Sequence, residues 1–407
     1  MKWKYLSRLA EQDMIRFLTA GESHGEALVG IVEGAPAGLP LTEDDINLHL
    51  ARRWQGYGRG GRSKFERDRI HIYSGVRFSR TMGSPISMRL DNAAYTKDRS
   101  GWPEVMSVSG SGEGVEKITL PRPGHADLAG LQKFGFEDIR PVIDRASARE
   151  TAMRVACCTV ARQFIKQFGI EIGSHVVRLG EVGYNDPTET ARKVADHLTE
   201  GAEKLNEAAD KSDVRMLDAE MTRRCIEHID EIKKRGDSLG GVYEVIVTGV
   251  PVGLGSYVHW DRRLDGKLAQ AIMSIQAQKA VEIGDGVVGA SLPGSHVHDE
   301  IVQGGDGFAR RTNRAGGIEG GMSNGMPIIV RGYMKPIPTL IKPLGSVDVA
   351  SGESLPTRYE RSDVTSVPAA STVAEAAVAF VIANAFLEKF GGDSITEIRE
   401  RFEREVS

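Results

Sequence analysis

The sequence predicts a layered α+β fold, with sheets wrapped on long buried helices, and three observations carry that prediction. Two segments, one running from Ser147 to Gly169 and one closing at Gly391-Gly392, place small and apolar residues on more than one helical face, as in helices buried on several sides. Many shorter segments alternate apolar and polar residues with the period of two that a half-buried strand requires. Glycine makes up 47 of 407 residues, above the typical share of about 7%. It falls in short loops between apolar segments, which predicts tight connections and several ligand-facing turns.

With 407 residues, 40% of them hydrophobic and 27% charged, the chain can bury a sizeable core. A formal net charge of -4 argues against a nucleic-acid or membrane-surface protein as a whole. Cys157, Cys158 and Cys225 have neither disulfide nor zinc spacing, which fits a reducing compartment. Residues 1–13 lack the apolar core of a signal peptide, and no run is read as approaching the roughly 20 apolar residues that span a bilayer. A cytoplasmic protein is therefore expected. Without a fixed-period repeat or a long linker, residues 14–407 are expected to form a single domain, preceded by an N-terminal extension over residues 1–13.

Taken in order, Ile15, Phe17 and Leu18 lead into Gly21-Glu22-Ser23-His24-Gly25, and Ala27, Leu28, Val29, Ile31 and Val32 follow, which reads strand, tight turn, strand. Glycine at both ends opens backbone angles closed to other residues. The turn is expected to expose Ser23 and His24, as an active site or as a plain hairpin. Thr42 caps a helix carrying Ile46, Leu50 and Trp54, which runs into Arg52-Arg53-Trp54-Gln55-Gly56-Tyr57-Gly58-Arg59-Gly60-Gly61-Arg62. Guanidinium forks beside amides freed by glycine make a receptor for phosphate or carboxylate. A solvated loop or an RNA-binding segment is the alternative. A dinucleotide fingerprint does not apply, because these glycines follow a helix.

Strands are expected over 69–90, broken at Met82-Gly83-Ser84-Pro85, and a mobile polar surface loop over 96–117. Arg122-Pro123-Gly124-His125-Ala126-Asp127 puts a turn histidine between a guanidinium and a carboxylate, which set its tautomer and charge. Ser147 with Glu150 reads as a capping box opening the first buried helix, and its positive end, flanked by Arg145 and Arg149, is a second place for an anion. Two polar-faced helices over 187–210 and 218–235 form a peripheral unit. A strand over 242–250 and a helix over 264–278 come next. His296-Val297-His298-Asp299 has the composition of a metal site, but a strand or solvated loop explains it as well, and no metal is expected. The glycine-rich stretch 313–325 precedes a strand over 327–330, and Lys335-Pro336-Ile337-Pro338-Thr339 supplies a rigid turn with a cation and a hydroxyl. Arg361-Ser362-Asp363 leads to the second buried helix, read as capped by Thr372 with Glu375.

Nine of these stretches, in this order, resemble the chorismate synthase family: GESHG at 21–25, RRWQGYGRGGR at 52–62, RPGHAD at 122–127, RASARET at 145–151, DSLGG at 237–241, MSIQA at 273–277, NRAGGIEGGMSNG at 313–325, KPIPT at 335–339 and RSD at 361–363. The resemblance implies a β-α-β sandwich with long core helices between antiparallel sheets, assembled as a homotetramer. It implies 1,4-anti elimination of phosphate from 5-enolpyruvylshikimate 3-phosphate to give chorismate, with reduced FMN and no net redox change. NADPH on this chain, or a separate flavin reductase, would keep that flavin reduced.

Carried over by motif, His24 protonates the departing phosphate and His125 protonates or stabilises the reduced flavin. Asp363 relays a proton from the flavin, with Ser23 as its partner. Arg53, Arg59, Arg62 and Arg149 supply cations for a small substrate bearing a phosphate and two carboxylates. Arg145, Ala146, Ser147, Gln276, Ala277, Gly320, Lys335, Pro336, Ile337, Pro338, Thr339 and Arg361 match flavin-binding positions. Two departures stand out: Ser362-Asp363-Val364-Thr365 replaces the His-Asp-Pro-Cys of many members, and residues 1–13 precede the usual start at Met14.

Two other classes fit parts of the pattern. Gly21 to Gly25 matches the Gly-x-Ser-x-Gly elbow of serine hydrolases, but that elbow feeds a helix and here strand residues follow. A nucleic-acid binder built on the Gly/Arg loop conflicts with the acidic net charge and with the lack of interleaved aromatics beyond Tyr57.

Overall fold

The computed structural model describes residues 14–59, 67–97, 101–305, 307–357 and 363–406. Residues 1–13, Arg62 and Arg361 lie outside that set. The first sheet contains β1 (Arg16–Ala20), β2 (Ala27–Glu33), β3 (Ile70–Ile72) and β4 (Ile86–Asp91), antiparallel in the order β1-β2-β4-β3. Its inner face meets the helix α3 (Glu150–Lys166). On β2 the alternation puts Leu28 and Val32 inward and Val29 and Ile31 outward. Gly30 lies between the inward pair, where a Cβ would come within 2.6 Å of Cys157 Sγ and Met153 Sδ. Strand and helix can approach this closely only without a side chain there.

The second sheet contains β5 (Glu171–Leu179), β6 (Val182–Gly183), β7 (Gly241–Thr248), β8 (Gln278–Ile283) and β9 (Ile328–Met334), in the order β8-β9-β7-β5-β6. Its inner face packs on α8 (Val367–Phe390), which also packs along α3, and α1 (Glu43–Trp54) touches both helices. The expected sandwich of long helices between antiparallel sheets is thus the observed architecture.

By length and composition α8 alone among the described residues is apolar enough to cross a membrane, which corrects the expectation that no run approaches that length. Of its apolar window 94% is buried inside the protein, the placement of a core helix. Three more expectations change. The segment 187–210 forms two helices, α4 (Pro187–Leu198) and α5 (Ala202–Ala209), parted at Gly201, whose φ is +98°. With α6 (Ala219–Lys234) they were read as peripheral, yet α5 packs on the outer face of β5, which is buried along most of its length. The helix expected over 264–278 is α7 (Leu264–Met273), and residues from Gln278 onward pair as β8.

Neither core helix is capped as the sequence predicted. α3 starts at Glu150, and Ser147 instead ends α2 (Arg140–Ala146). The Glu150 carboxylate accepts from Thr19 Oγ1 (3.0 Å) on β1, a tertiary contact that outweighs the local box. α8 begins five residues before Thr372, with Pro368 in its first turn, so Glu375 lies inside the helix. There it accepts from Arg52 Nη1 (2.7 Å) and Nη2 (2.9 Å), Arg162 Nη1 (2.6 Å) and Ser174 Oγ (2.5 Å), while Arg215 Nη2 lies 3.4 Å away. Burial alone would raise the Glu375 pKa, but the Arg52 and Arg162 charges hold it well below the usual carboxylate range. Burial and the neighbouring Arg52 charge pull Arg215 down to about 9.

Removing that carboxylate leaves three buried guanidiniums facing one another. Glu375→Ala is expected to lower unfolding stability by about 3–5 kcal/mol, read as a fall in urea midpoint. Since the native pKa of Glu375 is depressed, its contribution is complete above about pH 4.3 and drains as pH falls toward the native value. An unchanged midpoint in the variant would show that the cluster carries no net stability.

Candidate active site

The turn between β1 and β2 is short because Gly21, at φ +102°, folds the backbone so closely that a Cβ would lie 2.4 Å from Ala27 O. Ser23, expected on the surface, is buried: its N–H donates to Asp144 O (3.0 Å) at the end of α2, which draws the turn inward. β2 follows at once, so the turn is no nucleophile elbow. His24 stays partly open, its side chain 26% exposed, with Nδ1 2.5 Å from the buried Asp144 Oδ1. Its ring stacks on Trp102, centroids 3.9 Å apart. Trp102 opens a short helix, Trp102–Val105, within the segment expected to be a mobile loop.

Arg145, also on α2, donates to Gly21 O (2.9 Å) and Thr19 O (3.1 Å), so it braces the same turn. Ala146 and Ser147 end the helix, and Ser147 Oγ accepts from Arg149 N (3.2 Å). Asn92, just past β4, completes the attachment. Its amide donates to Glu22 O (3.1 Å) and Gly25 O (2.7 Å) and its oxygen accepts from Arg149 Nε (2.9 Å). One side chain therefore ties the histidine turn to the arginines.

Those arginines gather on the indole of Trp54 at the end of α1. The guanidinium carbons of Arg53, Arg59 and Arg149 lie 5.4, 5.8 and 5.7 Å from its centroid. Asp68 holds them from one side, accepting from Trp54 Nε1 (2.5 Å) and Arg149 Nη1 (2.5 Å). Arg53 also donates to Thr151 Oγ1 (3.0 Å) and Ala148 O (3.0 Å). Arg59 pairs with Asp363 (2.8 Å), itself bonded by Ser366 Oγ (3.0 Å), while Arg59 Nε has no hydrogen-bond partner among the described residues. The arginines expected to form one receptor divide: Arg52 turns into the core. Successive helical positions lie about 100° apart, so Arg52 reaches Glu375 while Arg53 reaches the wall of the site.

A second group surrounds His125. Its Nδ1 pairs with buried Asp127, which also accepts from Arg122 Nε (2.9 Å). Burial would raise the Asp127 pKa, but the hydrogen bonds from His125 and Arg122 hold it well below the usual range. Gly124, at φ +77°, brings its carbonyl to Lys335 Nζ (2.8 Å) and its open side against Pro338. Pro336 follows Lys335, Ile337 O accepts from Ser238 Oγ (2.7 Å), and Thr339 ends the run, so the 335–339 stretch lies between two other motif segments. Lys335 N in turn donates to Ala277 O (2.9 Å). Ala277 holds φ +65°, a strained value for a residue with a Cβ. Gln276 reaches Glu150 Oε2 (3.4 Å) at the start of α3, so the two groups join along one path.

Gly320 stands apart. It forms the tip of the hairpin Ile318–Glu319 with Met322–Ser323, beside Tyr257 and the start of α7, whereas Gln276 lies past the other end of that helix, which is about 15 Å long. No group of three metal-ligating side chains occurs among the described residues, and Asp299 instead accepts from Arg314 N (2.8 Å) and Ala315 N (2.9 Å).

Asp68, Asn92, Trp102 and Asp144 escaped the sequence reading, and Trp54, inside the 52–62 motif, is read there only as part of an apolar stripe. Asp144 sits next to the motif residue Arg145; Asp68, Asn92 and Trp102 matter through contacts distant in sequence.

A family model described as chorismate synthase matches residues 15–387. The chain is 67% identical over 396 residues to a chorismate synthase of Salinibacter ruber, covering 96% of this chain and 98% of that one. It is 57% identical to that of Chlorobaculum tepidum over 392 residues, 96% and 97% of the two chains. A crystal structure of chorismate synthase superposes with a TM-score of 0.77 at 43% identity, covering 97% of each chain.

Asn92→Ala would strand two turn carbonyls and one arginine N–H. A loss of about 1–3 kcal/mol is expected in urea unfolding, and an unaltered midpoint would remove Asn92 from this role.

Proposed function

The chain belongs to the chorismate synthase family, lyases of the shikimate pathway that use reduced FMN, and on that premise we propose how its own residues divide the work. The substrate is 5-enolpyruvylshikimate 3-phosphate, and a proton and phosphate leave from the two ends of a four-carbon unit. Arg59 is the substrate cation in this reading, with Arg53 and Arg149 shaping its wall and Arg62 adding charge to the same loop. Asp68 and Asp363 balance two of the three described guanidiniums, so a phosphate or carboxylate meets surplus positive charge.

His24 gives a proton to the departing phosphate, since Asp144 occupies Nδ1 and leaves Nε2 for the transfer. His125, held at Nδ1 by Asp127, does the corresponding work at the flavin, and Asp363, with Ser23 as its motif partner, relays the other proton. The flavin, when bound, supplies an electron-rich ring beside the reacting carbons.

Arg145, Ala146, Ser147, Gln276, Ala277, the 335–339 run, Gly320 and Arg361 are the residues that would hold it. Two observations support the fit. Gln276 Oε1 is buried without a hydrogen-bond partner among the described residues, and burial followed by the Lys279 charge lowers the Lys335 pKa, a strain that a bound phosphate relieves. The single observation that carries the division of roles is the Asn92 tie, because it sets the His24 turn and Arg149 against one wall.

We also read the chain as one domain over 14–407, in the cytoplasm, where its three buried free cysteines fit a reducing compartment. A homotetramer is supported by Leu18, Val29 and Ile31, exposed together on the outer face of the first sheet, and by the distance of Gly320 from the other flavin positions. Light scattering at the mass of four chains is the check. The flavin is kept reduced either by NADPH on this chain or by a separate reductase.

Mixed anaerobically with reduced FMN and 5-enolpyruvylshikimate 3-phosphate, the protein is expected to release phosphate with a transient change in the flavin spectrum. Replacing the chemical reductant with NADPH separates the two sources: sustained turnover marks a chain that reduces its own flavin, and none marks dependence on a separate reductase. Silence of both phosphate and flavin signals would overturn the reading.

His24→Ala and His125→Ala are expected to keep the fold while losing roughly 10²–10⁴ in turnover. A melt shifted by many degrees would instead mark them as structural. Arg59→Ala should weaken substrate binding more than flavin binding, and unchanged substrate affinity would refute its assignment.

A further inference from the structure

Two contacts on His24 fix different motions of its ring. The Asp144 contact at Nδ1 (2.5 Å) selects which edge of the imidazole faces away, but a single hydrogen bond leaves the ring able to rock about it. The Trp102 indole, 16° from parallel at 3.9 Å, removes that rocking. Nε2, on the opposite edge, has no hydrogen-bond partner among the described residues. α2 supports both contacts: it carries Asp144, and Arg140 one turn earlier lays its guanidinium over the same indole at 5.3 Å. Its Asp144 carbonyl also holds Ser23 N–H, so the turn, the carboxylate and the indole are held against one short helix.

Resting on the reading of His24 as proton donor, we propose that Trp102 and Asp144 are positioning residues that present His24 Nε2 to the leaving phosphate in one orientation. The proton passes from Nε2 to a phosphate oxygen as the C–O bond breaks, and the electron pair of that bond leaves with the phosphate. At the other end of the four-carbon unit the C–H bond breaks, its electron pair completes the diene, and its proton leaves through Asp363. The imidazole ends neutral, still donating from Nδ1 to Asp144. Trp102 acts through the ring it stacks on, so the flatness of its side chain is what positions His24.

The test uses the full chain with reduced flavin. Trp102→Ala and Asp144→Asn are expected to lower kcat by at least about tenfold, within the roughly 10²–10⁴ that a general acid contributes, with KM unchanged. Trp102→Phe, which keeps a flat ring, should recover most of that loss. The emission specific to Trp102, taken as the difference between the wild type and Trp102→Phe, should brighten when His24→Ala removes the stacked ring, with no substrate present. Wild-type kcat in Trp102→Ala beside a dead His24→Ala would overturn the inference while leaving His24 as proton donor. Full turnover in His24→Ala would overturn that donor role and this inference with it. Raised KM with unchanged kcat, failure of Trp102→Phe to recover activity, or emission indifferent to His24→Ala would each overturn the positioning role.

Discussion

One carboxylate in the core, Glu375 on α8, constrains the rest of the molecule. Its oxygens receive guanidiniums from α1 and α3 and a hydroxyl from β5, with Arg215 close by. These elements come from both halves of the sandwich, so their relative placement is fixed at a buried charged centre as well as by apolar packing. Apolar side chains tolerate small slips, whereas hydrogen-bonded charges out of water do not. The layer of helices therefore has little freedom to slide between its sheets.

The site inherits that rigidity. Arg52 and Arg53 are neighbours on α1, and anchoring the first in the core aims the second at the wall of the site. From Arg53 the support runs through Ala148 to α3, through Asp68 to Arg149, and through Asn92 to the histidine turn. The two histidines repeat one design: each has Nδ1 held by a buried aspartate, from α2 for His24 and from the first position of the helix Asp127–Phe134 for His125. A ring held this way keeps its other nitrogen available at the solvent side.

Much of this was legible in the chain and some was not. The buried helices announced themselves because small and apolar residues cover more than one face, and the motif turns because glycine at Gly21 and Gly124 permits backbones that other residues avoid. Their caps were misread at Ser147 and Thr372 because a capping box is a local pattern, whereas Glu150 and Glu375 answer to distant donors. Trp102 was hidden by polar neighbours that read as loop, and Asn92 by having no local pattern at all. The ion centre at Glu375 was invisible for the same reason: its arginines lie 323, 213 and 160 positions away.

The position of α8 near the end of the chain has a consequence for synthesis. Arg52, Arg162 and Arg215 leave the ribosome long before their counter-charge at Glu375, and both sheets are translated before the helix that fills the space between them. A nascent chain halted ahead of Val367 would hold an open apolar trough in which Asp210 alone among the described carboxylates faces Arg52 and Arg215, and Arg162 lacks its carboxylate. Committed folding must wait for the last helices, and until then the unfinished polypeptide is a natural client for chaperones.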